Sequence, residues 1–150
     1  MKYIKSYKIF EASDEQNEYL SDIRTEINYM LLKLKEEGDM DISINTHLLA
    51  KQYHDPSEYH INISINNCDK IEKFTDEIRT LFSYLEEWSP KSTIFTTSKS
   101  SYCDIKYFSH VFETSKLYFK NIDKLLKIIS HCSSTGNTIE GITIKFFKLI

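Results

Sequence analysis

The sequence predicts an α+β fold in which an antiparallel sheet is covered on one face by helices. Two adjacent stretches carry that expectation. Tyr59-His60-Ile61-Asn62-Ile63-Ser64-Ile65-Asn66 alternates with period 2, isoleucines on one face and Asn62, Ser64 and Asn66 on the other. From Ile71 the period changes, and Ile71, Phe74, Ile78, Leu81, Phe82, Leu85 and Trp88 follow the spacing of an apolar helical stripe. A half-buried strand and a one-sided helix each need an apolar partner, and here each can cover the other in two layers.

The remaining elements follow in chain order. Residues 1–12 form an amphipathic arm, with Tyr3, Ile4, Tyr7 and Phe10 on one side and Lys2, Lys5 and Lys8 on another. Ser13 then reads as an N-cap, with Asp14 and Glu15 in the first turn and Gln16 completing a capping box. The helix it starts carries the stripe Leu20, Ile23, Ile27, Met30, Leu31 and Leu34, and Gly38 supplies its stop.

Residues 41–50 alternate at Ile42 and Ile44 and predict a strand. Asp55-Pro56-Ser57 has the turn chemistry to close a hairpin onto 59–66. The second helix should stop at Ser89-Pro90, because proline disfavours helical geometry in the residue before it. Thr93–Thr97 and Tyr102–Phe108 are β-rich runs with Ser98-Lys99-Ser100 between them, a second hairpin. Lys116–Lys120 is a weaker candidate for a short strand. A third helix is expected from Asn121 to about Cys132, and a last strand from Ile139 to Ile150.

From residue 59 onward the order is strand, helix, strand, strand, helix, strand. That is the split βαβ order of ferredoxin-like folds, here with an N-terminal helix–strand addition. We see no internal repeat or linker, so residues 13–150 read as one domain, long enough to bury about 68–70% of its unfolded surface.

Composition narrows the function classes. The chain is 41% hydrophobic and 27% charged with net charge −3, ordinary for a globular protein. Residues 1–75 carry net −5 and residues 76–150 net +2, so neither half has the basic excess of a dedicated nucleic-acid binder. The series Lys116, Lys120, Lys124 and Lys127 reads more simply as a solvated helix face. No apolar run reaches the ~18–20 residues that span a bilayer. Three scattered cysteines, Cys68, Cys103 and Cys132, suit reduced thiols and a cytoplasmic setting. Twenty isoleucines against two alanines and two arginines reflect AT-rich codons.

Motifs for chemistry are sparse. Zinc sites show paired ligands at short spacing, and only His131-Cys132 and His54-Asp55 are close, so no metal site is expected. Gly38, Gly136 and Gly141 cannot form a phosphate-cradling loop, and no cofactor is expected. Cys103 lies in an alternating apolar run, as a buried thiol does, and no catalytic residue is assigned. An RNA-recognition sheet would stack bases on aromatics, but the open face here shows Asn62, Ser64, Asn66, Thr143 and Lys145. A small-molecule pocket, completed in a homodimer or within one chain, would draw its polar residues from His47, His60, Cys103 and His110.

One stretch resembles something known. Lys2, Lys5 and Lys8 interleave with aromatic residues, and Ile9-Phe10-Glu11 is followed by Ala12. Met1–Ala12 thereby resembles the leader of small proteins of large T4-type tailed phages. In that group such a leader targets internal head proteins to the assembling prohead, and a maturation protease cuts after (Ile/Leu)-x-Glu. The resemblance implies processing at Ile9, Phe10, Glu11 and Ala12, with the cut immediately before the Ser13 cap. It also implies a phage accessory protein that binds head or host proteins, in the host cytoplasm or the virion. The plainer alternative packs the same aromatic residues on the domain as an arm.

Overall fold

The structure, a computed structural model, describes residues 13–49, 57–97, 122–134 and 139–150. In chain order these form helix α1 (Asp14–Met30), helix α2 (Leu32–Glu36), strand β1 (Asp41–Leu49) and strand β2 (Glu58–Asn66). A 3-10 helix (Cys68–Phe74) runs into α3 (Thr75–Tyr84), followed by β3 (Ser89–Thr97), α4 (Ile122–Ser134) and β4 (Ile139–Leu149). The α+β class and the antiparallel sheet are as expected.

The capping box forms as the sequence predicts. Ser13 N–H donates to Gln16 Oε1 at 2.9 Å, and Gln16 N–H donates to Ser13 Oγ at 3.2 Å. Leu20, Ile23 and Ile27 are buried along α1. The helix was expected to run unbroken to Gly38, but it breaks at Leu31. The break keeps both Leu31 and Leu34 fully buried, whereas Met30 is only half-buried. Gly38 does end the helical segment, through space and not through its backbone angle. A Cβ there would sit 2.7 Å from Leu34 O and 2.9 Å from Phe74 Cε2, and the left-handed residue is the next one, Asp39, at φ 53.

The sheet has four strands in the order β1-β2-β4-β3, all neighbours antiparallel. Its register sets Ile42, Ile44 and Thr46 beside Ile65, Ile63 and Ile61, and these beside Ile142, Ile144 and Phe146. A slip of one residue would turn all these side chains to the other face, so the apolar pattern itself specifies the pairing. Ile61, Ile63, Ile65, Ile142, Ile144 and Phe146 join Leu20, Ile27, Ile71, Ile78, Leu81, Leu125 and Ile129 of the helices in one buried cluster. Phe82 meets Phe146 edge-on at 5.3 Å.

The strand order does not follow the split βαβ expectation. In that order the last strand lies at the edge and 89–97 pairs with 102–108. Here β4 lies between β2 and β3. The β1–β2 hairpin takes the flank of β2 that a 102–108 strand would need, and β3 pairs with the flank of β4 that β2 leaves open. The expected 102–108 and 116–120 strands lie outside the described residues, as does the 1–12 arm. Strand β3 begins at Ser89 and includes Pro90, earlier than the predicted Thr93. No helix among the described residues is long and apolar enough to cross a membrane.

Candidate functional site

Two groups of side chains gather at one end of the sheet, on opposite faces. The first lies on the face away from the isoleucines. His47 of β1 pairs in register with His60 of β2, which pairs with Phe147 of β4. The two imidazoles stack with centroids 5.1 Å apart and planes 21° from parallel, and His60 lies 6.4 Å from the Phe147 ring. His60 Nε2–H donates to Glu58 Oε2 at 2.8 Å, two residues back on the same face. Both members of this pair are buried, Glu58 at 4% exposed and His60 at 7%. His47 is exposed. The partial loss of water around its ring first, and the charge of His60 second, lower the His47 pKa below the ordinary 6.5.

Alternation placed His60 on the correct face but implied a solvated imidazole, and the structure buries it instead. Glu58 was not singled out, although its i−2 spacing from His60 on an alternating strand signals a same-face partner. Of the four pocket candidates, His47 and His60 come together, while Cys103 and His110 lie outside the described residues. The candidate processing residues Ile9, Phe10, Glu11 and Ala12 lie outside them too. Among the described residues no group of three or more His, Cys, Asp or Glu side chains is placed to hold a metal ion.

Further along this face come Asn62, Ser64, Thr143 and Lys145, all half-buried, with the Ser64 and Thr143 hydroxyls 3.5 Å apart. Tyr59, whose direction the sequence left open, belongs to the other face. There it packs on Tyr19 at 5.1 Å and on Trp88 at 6.2 Å.

Tyr19 and Trp88 also line the second site, a cleft of about 270 Å³. It opens where α1, the turn after α3 and the end of β4 converge, and is lined by Tyr19, Ile23, Tyr84 to Trp88 and Lys148. Trp88 and Leu85 are buried at its base, while Tyr19 and Tyr84 keep 36% and 41% of their surface exposed. Lys148 Nζ donates to Glu87 Oε2 at 3.0 Å, and this bond raises the lysine pKa. Burial raises the Tyr84 pKa, helped by the charges of Glu26, Tyr19 and Asp22. None of the four sequence candidates lines this cleft.

No known protein family, characterised protein or solved structure matches this chain.

Proposed function

We propose that this chain is a phage-type accessory protein without catalytic activity, which works by binding another protein, either of the phage head or of the host cell. The observation that carries the reading is the outer surface of α1. Glu15, Glu18, Asp22 and Glu26 are all exposed and recur every three or four residues, so they share one helical face. Tyr29 continues that face with 76% of its surface exposed. Like charges at this spacing weaken a helix by roughly 0.2–0.5 kcal/mol per pair, so beyond the first turn the stripe does not serve the stability of α1. A solvated face is the plainer account of any charge run, but a large exposed tyrosine at its end suits an interface. The scaffold behind it is two-layered on this reading, supported by the cluster that α1, α3 and α4 share with the sheet.

The test is affinity purification of the tagged full chain from infected cells beside its D22K/E26K variant. A defined partner recovered with the parent chain and lost with the variant supports the reading; an unchanged set of proteins removes it. The packaging version rests on the leader resemblance of residues 1–12 and has its own measurement. Mass spectrometry of purified virions should find the chain beginning at Ala12. Absence from virions, or presence with Met1–Glu11 attached, leaves host binding alone.

A second reading, a small-molecule-binding or enzymatic domain, is favoured by the Glu58–His60–His47 cluster. It predicts a ligand that shifts the ring protons of His47 and His60 together in a fragment screen followed by NMR. A screen that moves neither ring counts against it.

A further inference from the structure

We propose that the cleft between α1, the turn after α3 and the end of β4 receives an arginine side chain presented by a protein partner. The assignment deepens the protein-binding reading above, on which it rests for the source of the arginine.

Size is the first argument. Pockets for drug-sized ligands and cofactors run to roughly 300–1,000 Å³. At about 270 Å³ this cleft suits a single side chain better.

Its walls then select the chemistry. Tyr19 and Tyr84 offer partly exposed rings at the mouth, with Trp88 beneath. Ring faces attract cations, and a planar guanidinium can stack on them while its N–H groups reach a carboxylate. Glu86 and Glu87 stand exposed at the rim to supply that carboxylate. Lys148, the one cation among the described lining residues, is already engaged by Glu87. The lining is therefore net negative, and Asp22 and Glu26 of the acidic α1 face act on Tyr84 from alongside. An anionic guest would meet this potential unfavourably, and an apolar one would gain nothing from it.

Lys148 makes the proposal specific. An incoming guanidinium competes with it for Glu87, so removing the lysine should strengthen binding. A purely aromatic or apolar recognition site would not respond in that direction.

Trp88 is the only tryptophan in the chain, so its emission reports on this cleft directly. The full chain is titrated with the peptide acetyl-Gly-Arg-Gly-amide, and with matched peptides carrying citrulline or lysine. A saturable change in Trp88 emission is expected with arginine. Citrulline, which keeps the shape and loses the charge, should bind about tenfold more weakly or worse. The E86Q/E87Q variant should weaken arginine binding by a similar factor, K148M should tighten it, and added salt should weaken it. No saturable change with arginine, or equal binding of the citrulline peptide, overturns the proposal. Equal binding of lysine overturns the stacked, forked geometry on which it stands. If the peptides fail while D22K/E26K still loses its partner, protein binding stands and the cleft drops out of it. If arginine binds but no partner depends on the α1 face, the preference of the cleft for arginine stands, while the broader reading and with it a protein source for the arginine fail.

Discussion

His47 and His60 stack across the β1–β2 register 5.1 Å apart, and the buried one of the two is gripped by Glu58.

The partial loss of water around its ring and the charge of His60 disfavour the protonated form of His47, so its folded pKa lies below the ordinary 6.5. The unfolded chain then takes up the proton first as the solution is acidified. Stability contributed by this residue is present above 6.5 and is lost as pH falls toward the folded value. Denaturant unfolding at about pH 7 and about pH 5 should show a smaller drop for His47→Gln than for the parent chain. NMR titration of the His47 ring should place its midpoint below 6.5.

The Glu58–His60 pair is almost wholly desolvated, with side chains 6% and 9% exposed. Removing one partner leaves the other buried without its counterpart. Glu58→Ala should therefore cost about 1–3 kcal/mol in urea unfolding, while Glu58→Leu combined with His60→Leu should cost less than the two single changes added. Strict additivity would show that the two groups act independently.

Gly38 is confined by neighbours that cannot all move. Leu34 O is backbone, and Phe74 is 6% exposed. Gly38→Ala should lower stability by about 1–3 kcal/mol, read as a fall in the thermal midpoint. A neutral result would mean that the Leu34 carbonyl can shift at little cost.

Cys68 donates from Sγ to Ile65 O at 3.1 Å, and burial pushes its thiol up from 9.0 to about 12. Thiolate is the reactive form, so native Cys68 should be alkylated roughly a thousandfold more slowly than a free thiol. The measurement uses a Cys103→Ser, Cys132→Ser background, with iodoacetamide before and after denaturation. Rapid native labelling would show that the thiol is not shielded.

Local patterns predicted the elements well where a short stretch of chain decides the outcome. The Ser13–Gln16 capping box needs only residues three apart, and it forms as written. The isoleucines of 61–65 and the stripe through Ile78 and Leu81 needed only their own periodicity. The candidate sites were legible only in part. His47 and His60 were both named, yet nothing in the spacing paired them, because their contact depends on a hairpin register. The cleft was not foreseen at all, since Tyr19, Tyr84 and Lys148 come from three distant segments.

The sequence by itself determined the α+β class, the faces that turn inward and the ends of several elements, because period and cap chemistry act over a few residues. Only the tertiary structure decided which strand neighbours which, and that β4 lies between β2 and β3 and not at the edge. Strand order is a competition between long-range pairings of similar apolar ribbons, which no local pattern ranks. The same competition buried Glu58 and His60, two residues whose polarity alone would have left them in water.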